Sequence, residues 1–252
     1  MKHSFPAILL ALLLCCTAAL AEANVVFAPD LTGEYMYPEG STAADALYIY
    51  RYRYPQLAGE SDLAALINTT YAYTAEDALG FEAPMLATDM QPGDPQKVVD
   101  ISYEITCLNE SYLSLKLTKL VTVAGTETIV TSGHVLALTG SGMGRIVNLP
   151  VLIGLLKPDE TDEWLLTRQT NKADAYARDL VWARLQEGNG GDYTLYSDLT
   201  REEFDASFYP EEDFYLTAEG DLCFFLQPGI AAPEDDGELL VIISISDLLN
   251  EM

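Results

Sequence analysis

Two histidines occur in the chain, and only His134 lies beyond the first three residues. A Ser-His-Asp catalyst would need that histidine beside an activated serine. The Gly-x-Ser-x-Gly turn that exposes such a serine is absent from the sequence. His134 instead follows Gly133 in the apolar run "TSGHVLAL", which suits a structural imidazole. Zinc needs three or four His, Cys or carboxylate ligands. One histidine and two widely spaced cysteines, Cys107 and Cys223, do not supply them, so no metal site, cofactor or catalytic residue is assigned. Carboxylates are plentiful, 39 Asp and Glu, so glycoside hydrolysis by two acids stays chemically open. No spacing singles out one pair. The oxygen-rich runs "PDETDE" (158–163), "PEEDF" (210–214) and "PEDDGE" (233–238) lack the ordered ligand positions of a calcium loop and are taken as solvated acid surface. Gly140-x-Gly142-x-Gly144 has no Gly-Lys-Ser/Thr to close a phosphate loop. It is taken as a turn between two subdomains.

Binding chemistry is better represented than bond-making chemistry. Formal net charge is −26. Such a surface repels nucleic acid and anionic lipid, and attracts cationic proteins in a salt-dependent way. The acids Glu234, Asp235 and Asp236 form the densest short cluster in the C-terminal loop. Tyr48, Tyr50, Tyr52 and Tyr54 alternate with Ile49, Arg51 and Arg53. Period two places the tyrosines on one strand face, either as half of a core or as a stacking surface for sugars, and the core is preferred.

Residues 1–21, "MKHSFPAILLALLLCCTAALA", have the form of a secretory leader: Lys2, a short apolar run, and Ala19-Leu20-Ala21 as the cleavage site. The expected product is extracellular or periplasmic and has no membrane span after cleavage. In an oxidising compartment Cys107 and Cys223 could pair. The closed loop of more than about 100 residues would be worth about 4–5 kcal/mol on the chain-entropy model. Two buried thiols are the preferred alternative.

The remaining sequence gives elements to position these groups. A helix capped by Ser61 carries Leu63, Leu66, Ile67 and Tyr71 at helical spacing. Residues 80–97, rich in Pro and Gly, are expected to be loop. In "VVDISYEITCL", Val99, Ile101, Tyr103, Ile105 and Cys107 are expected on one face. With "YLSLKLTKLVTV" and "TETIVTSGHVLAL" this strand makes an antiparallel meander. A helix with Ala173, Tyr176, Ala177, Leu180 and Ala183 on one face follows, ended by the glycine run 188–191. Thr200-x-x-Glu203 is a capping box. "DFYLTAEGDLCFFLQP" is a hairpin turning at Gly220. "ELLVIISISDLL" is expected as a last strand, buried on both faces. These elements define an α+β fold of two subdomains, each an antiparallel sheet packed with one or two helices. The leader covers 1–21, the N-terminal subdomain 24–144 and the C-terminal subdomain 145–252.

The C-terminal stretch also carries a resemblance. Phe214-Tyr215-Leu216-Thr217, Gly220, Phe224-Phe225, Pro228, Ala232-Pro233, Gly237 and Leu248 resemble the end of the extracytoplasmic domains related to RsiV, the lysozyme-sensing anti-sigma factor. Some peptidoglycan deacetylases carry the same accessory domain, and many secreted proteins of unknown function have it. Tyr54-Pro55, Gly59, Ile67-Asn68, the "YLSLKLTKL" strand and Ser132-Gly133-His134 extend the resemblance toward the N-terminus. It implies the two-subdomain α+β fold. It departs from the family pattern at Gly229 and Glu234, where tyrosines are usual. Nothing in the chain resembles a sigma-binding segment or a deacetylase domain.

The resulting expectation is a secreted, non-catalytic binding module for a cationic cell-wall-active protein such as a lysozyme, or for the wall itself. Glu234, Asp235 and Asp236 are the first-choice contacts, and Tyr48, Tyr50 and Tyr52 the second. The alternatives are a carboxylate-dependent hydrolase acting on wall glycan or peptide, and a structural accessory domain of a secreted complex.

Overall fold

The computed structural model describes residues 25–188 and 194–251. The leader over 1–21 and the end of the glycine run lie outside these residues. Among the described residues eight strands form two sheets, one of five strands in the order β1-β2-β3-β4-β5 and one of three in the order β6-β7-β8. The fold is α+β, as expected.

The first sheet contains β1 (Leu31–Tyr37), β2 (Tyr48–Tyr54), β3 (Lys97–Leu108), β4 (Tyr112–Val123) and β5 (Thr126–Ala137). The meander of β3, β4 and β5 is antiparallel throughout, and β1 pairs antiparallel with β2. β2 and β3 run parallel, with Tyr50 opposite Val99. A parallel pair needs a long crossover, and that crossover is helical. Helix α1 (Asp62–Asp77) leads through a π turn (Ala78–Glu82) into α2 (Ala83–Ala87). The loop expected over 80–97 is therefore helical for its first eight residues, through Ala87. Pro84 does not prevent this: it sits in the first turn of α2, directly after the π turn. Ser61 caps α1 by accepting the Ala64 N–H at 3.1 Å.

One face of this sheet packs on α1. Tyr48, Tyr50, Tyr52 and Tyr54 join Ile67, Tyr71, Val99, Leu113, Leu115 and Leu117 in a single core. The tyrosine rings stack in series: Tyr52 on Tyr54 at 5.3 Å, and Tyr54 on Tyr71 at 5.4 Å. Period two holds along β2 and β4, but not along β3. A bulge between Ile105 and Cys107 adds a residue and flips the strand. Ile105 pairs with Leu115, whereas Cys107 pairs with Ser114 on the opposite face. The five positions expected on one face thus divide at the bulge, and Cys107 belongs to the second core.

That second core lies under α3 (Leu149–Leu152), α4 (Glu163–Gln186), α5 (Arg201–Ser207), the hairpin β6 (Phe214–Leu216) and β7 (Leu222–Leu226), β8 (Leu239–Ile243) and α6 (Ile245–Glu251). α4 buries Ala173, Ala177, Val181 and Leu185, an i, i+4 stripe of small and medium side chains. Ala183, expected on this face, is exposed. The capping box forms as read: Thr200 accepts the Glu203 N–H at 3.2 Å, and Glu203 accepts the Thr200 N–H at 2.9 Å. The last apolar run is not one doubly buried strand. It is a five-residue strand followed by α6, and Ile242 is 60% exposed on the open face of the small sheet. Ser244 makes the switch, its hydroxyl accepting the Asp247 N–H at 3.0 Å as a helix cap does.

The two sheets meet where β6 crosses the outer face of β4 and β5. Ser114 accepts the Leu216 N–H at 2.8 Å. Gly133 lies directly under Phe214, and a Cβ there would fall 1.6 Å from the Phe214 carbonyl oxygen. Gln227 reads both backbone groups of Thr131, donating to its carbonyl at 2.7 Å and accepting its N–H at 2.9 Å. Glu238 accepts from Lys116 at 2.5 Å and from the Thr131 hydroxyl. The alternation of β4 suggests a polar outer face at Ser114 and Lys116. That face is covered, and its polar groups are the fastening between the sheets.

Candidate functional site

The residues singled out for chemistry separate into buried and displayed sets. His134 faces α1, its Nδ1 3.2 Å from the Tyr71 hydroxyl and its ring stacked on that tyrosine at 6.0 Å. Burial pushes its pKa down to about 4, since an apolar environment disfavours the imidazolium. It is a neutral, half-buried histidine packed on Tyr71. Tyr48, Tyr50 and Tyr52 are 0%, 0% and 8% exposed, so the stripe is core and offers no surface to a sugar or a partner. Burial raises the Tyr50 phenol further, with Tyr54 and then Glu82 adding to the effect. Cys107 and Cys223 are both buried free thiols. Cys107 sits in the large second core, while Cys223 packs with Tyr215 and Phe225 on the other face of the small sheet. The pairing left open by the sequence is not made. Among the described residues no three His, Cys or carboxylate groups gather as a metal set, and no helix is long and apolar enough to cross a membrane.

Glu234, Asp235 and Asp236 form an exposed one-turn 3-10 helix between β7 and β8, closed by Gly237 at φ +75°. Asp236 accepts the Thr194 N–H at 3.4 Å, and none of the three has a cation partner among the described residues.

A second displayed surface was not legible as such in the sequence. It surrounds the π turn. Ala83 donates its N–H to the Ala78 carbonyl, five residues back. The wide turn inserts an extra residue and rotates all that follows. Phe81 is thereby turned to solvent, 64% exposed, beside Tyr73 at 67%. Its neighbour Glu82 turns inward, accepting from Lys119 at 2.5 Å and from the Tyr50 hydroxyl at 3.3 Å. Tyr73, Glu76, Asp77, Gly80 and Phe81 line an open groove of about 430 Å³. Glu76 and Asp77 are exposed, with no ion pair among the described residues. Two solvent-facing rings flanking two free carboxylates suit a lysine or arginine side chain, which takes a ring face and a carboxylate together. Only the spacing of Tyr73, Glu76, Asp77, Gly80 and Phe81, which share one side of a helix, hints at the groove.

A third group of carboxyls lies between α4 and the 208–214 segment. Asp213 accepts the Tyr209 N–H at 2.7 Å, and burial pushes its pKa up to about 6. Asp174 on α4 is likewise raised to about 6, by burial first and then by the negative charge of Glu211. Asp174 Oδ1 and Glu211 Oε2 are buried without hydrogen-bond partners.

No family model matches the chain, and no curated protein does. Among solved structures it is similar to a DUF3298 family protein from Bacteroides fragilis, with 13% identity and a TM-score of 0.46, over 90% of this chain and 98% of that one. It is also similar to a DUF3298 family protein from Pseudomonas aeruginosa PAO1, with 12% identity and a TM-score of 0.44, over 88% of this chain and 92% of that one.

Proposed function

We propose that this chain is an exported, non-catalytic module that binds a cationic, cell-wall-active protein such as a lysozyme, and that it is related to the RsiV-like extracytoplasmic domains. The single observation that carries the reading is the groove at the π turn. It pairs exposed Tyr73 and Phe81 with the unpaired carboxylates of Glu76 and Asp77. Exposed aromatics are the usual anchors of a protein interface. Each cation–ring contact contributes about 0.5–2 kcal/mol, depending on desolvation. The net charge of −26 raises the encounter rate with a basic partner. The acidic turn at Glu234–Asp236 is a second contact of the same sign.

Binding to hen lysozyme, measured by calorimetry at low and at physiological salt, tests the reading. A complex that weakens with salt and is lost in a Tyr73→Ala/Phe81→Ala variant is expected. No complex at either salt concentration removes the proposal. Loss only in a variant neutralised at Glu234, Asp235 and Asp236 moves the contact to that turn.

The carboxylate hydrolase is favoured by one observation, the raised Asp174 and Asp213 beside Glu211. A carboxyl near pKa 6 can donate a proton at neutral pH. Release of reducing sugars or amines from purified peptidoglycan, abolished by Glu211→Gln, would establish it in place of the binding reading.

A further inference from the structure

A cleft opens where the loop between β5 and α4 passes over the crossing of the two sheets. Its volume is about 230 Å³, and its walls include Arg145, Lys157, Glu160, Glu211, Leu166 and Phe214. In a chain with three acids for every base, a cation that meets neither an acid, a ring nor a carbonyl oxygen is the less common case. Every other described lysine and arginine apart from Arg184 sits against a carboxylate, an aromatic ring or a carbonyl oxygen. Arg145 and Lys157 have no such partner among the described residues, both are exposed, and both line this one cleft. They stand in the same cleft as Glu160 and Glu211 without forming an ion pair to either. Glu160 uses one oxygen, Oε1, to accept the N–H groups of Thr161 and Asp162, which leaves its Oε2 free.

We infer that this cleft is a binding site for a small zwitterion, an α-amino acid or a dipeptide. The carboxylate would lie on Arg145 and Lys157, the ammonium on Glu160 and Glu211, and the apolar part against Leu166 and Phe214. Two cations held near two carboxylates but unpaired with them are complementary to a ligand carrying both charges. A simple anion would be repelled by the acids, and a simple cation by the bases. The volume falls below the roughly 300–1,000 Å³ of sites for drug-sized ligands, which favours a ligand of one or two residues. Because Gly133 and Phe214 both line the cleft, a bound molecule would span the contact between the sheets. It would therefore stabilise the folded chain by mass action. The site is independent of the groove at the π turn.

Alanyl-alanine is the probe, with N-acetyl-alanyl-alanine lacking the ammonium and alanyl-alanine amide lacking the carboxylate. Thermal unfolding and calorimetry are read on the whole chain. A saturable rise in Tm with alanyl-alanine is expected, with each blocked analogue binding about tenfold more weakly or worse, as loss of one charge-assisted contact implies. Arg145→Ala, at an exposed position, and Glu160→Gln, half-buried but with an amide oxygen that still accepts the Thr161 and Asp162 N–H groups, should weaken alanyl-alanine to a similar extent while leaving the Tm of the free protein nearly unchanged. No rise in Tm or binding heat at millimolar alanyl-alanine overturns the assignment. Equal binding of all three probes, or equal binding by wild type and both variants, does so as well.

Discussion

At the scale of single residues, Gly133 and the two oppositely perturbed groups His134 and Asp213 carry the sharpest expectations. Gly133 is required by close approach, since any Cβ would collide with the Phe214 carbonyl. Overpacking costs about 1–3 kcal/mol where side chains can shift, and here the obstacle is backbone. Gly133→Ala should lower the urea midpoint by at least that equivalent, whereas alanine at Gly40, whose Cβ would meet nothing, should lose only the smaller cost of its positive φ. His134 titrates near 4 when folded and near its ordinary 6.5 when unfolded. The unfolded chain therefore binds more protons between those values, and the histidine withdraws stability as pH falls through 6.5 toward 4. Asp213, and Asp174 with it, titrates near 6 when folded against an ordinary 3.8. There the folded chain binds more protons, and stability is lost as pH rises from about 4 to 6. The two slopes oppose each other in the wild type. Asp213→Asn should steepen the loss of stability on acidification from pH 6 to 4, and His134→Gln should reduce or reverse it. Urea titrations at pH 4, 5 and 6 read both.

At the scale of elements, the short helices depend on their caps and the π turn on its neighbours. α5 has seven residues, too few to hold itself in water. It is held by the Thr200–Glu203 box and by Phe204, which packs between Trp182 and Phe208 at 5.2 Å from each. Thr200→Ala should cost about 1 kcal/mol, seen as a shift in the urea midpoint without a change in slope. The box was legible because its residue types and spacing are the mechanism itself. The π turn was not legible. Gly80 and Pro84 read as loop punctuation, yet Pro84 falls where a helix tolerates it, and the turn is supported by Glu82 reaching Lys119 and Tyr50 on distant strands. The bulge in β3 is a similar case. "YEITC" alternates without a break, and only the pairing of Ile105 with Leu115 and Cys107 with Ser114 shows the strand changing face.

At the scale of the whole molecule, charge and the contact between sheets dominate. With 39 acids against 13 bases, any basic partner should associate faster at low salt. The effect should fade as the Debye length shrinks from about 30 Å at 0.01 M to about 8 Å at 0.15 M. Stopped-flow association with lysozyme across that range should show a falling association rate and a dissociation rate that changes little. A rate independent of salt would mean that the acidic surface does not guide the encounter. Against the same excess of acid, Arg145 and Lys157 stand out because two cations without a partner among the described residues share one cleft.

The sequence by itself determined which segments become strands and helices wherever a local rule sufficed. Period two set the Tyr48–Tyr54 strand, a serine or threonine with its partner three residues on set the caps of α1 and α5, and Gly220 set the hairpin. It also determined the acid excess, which needs no structure. Tertiary structure alone decided what the outer face of β4 packs against, which way Phe81 points, where β3 reverses its faces, and that the last apolar run divides at Ser244. Those outcomes depend on groups brought together from positions far apart in the chain, such as Gly133 under Phe214 and Glu238 on Lys116. Local propensity has no term for such contacts.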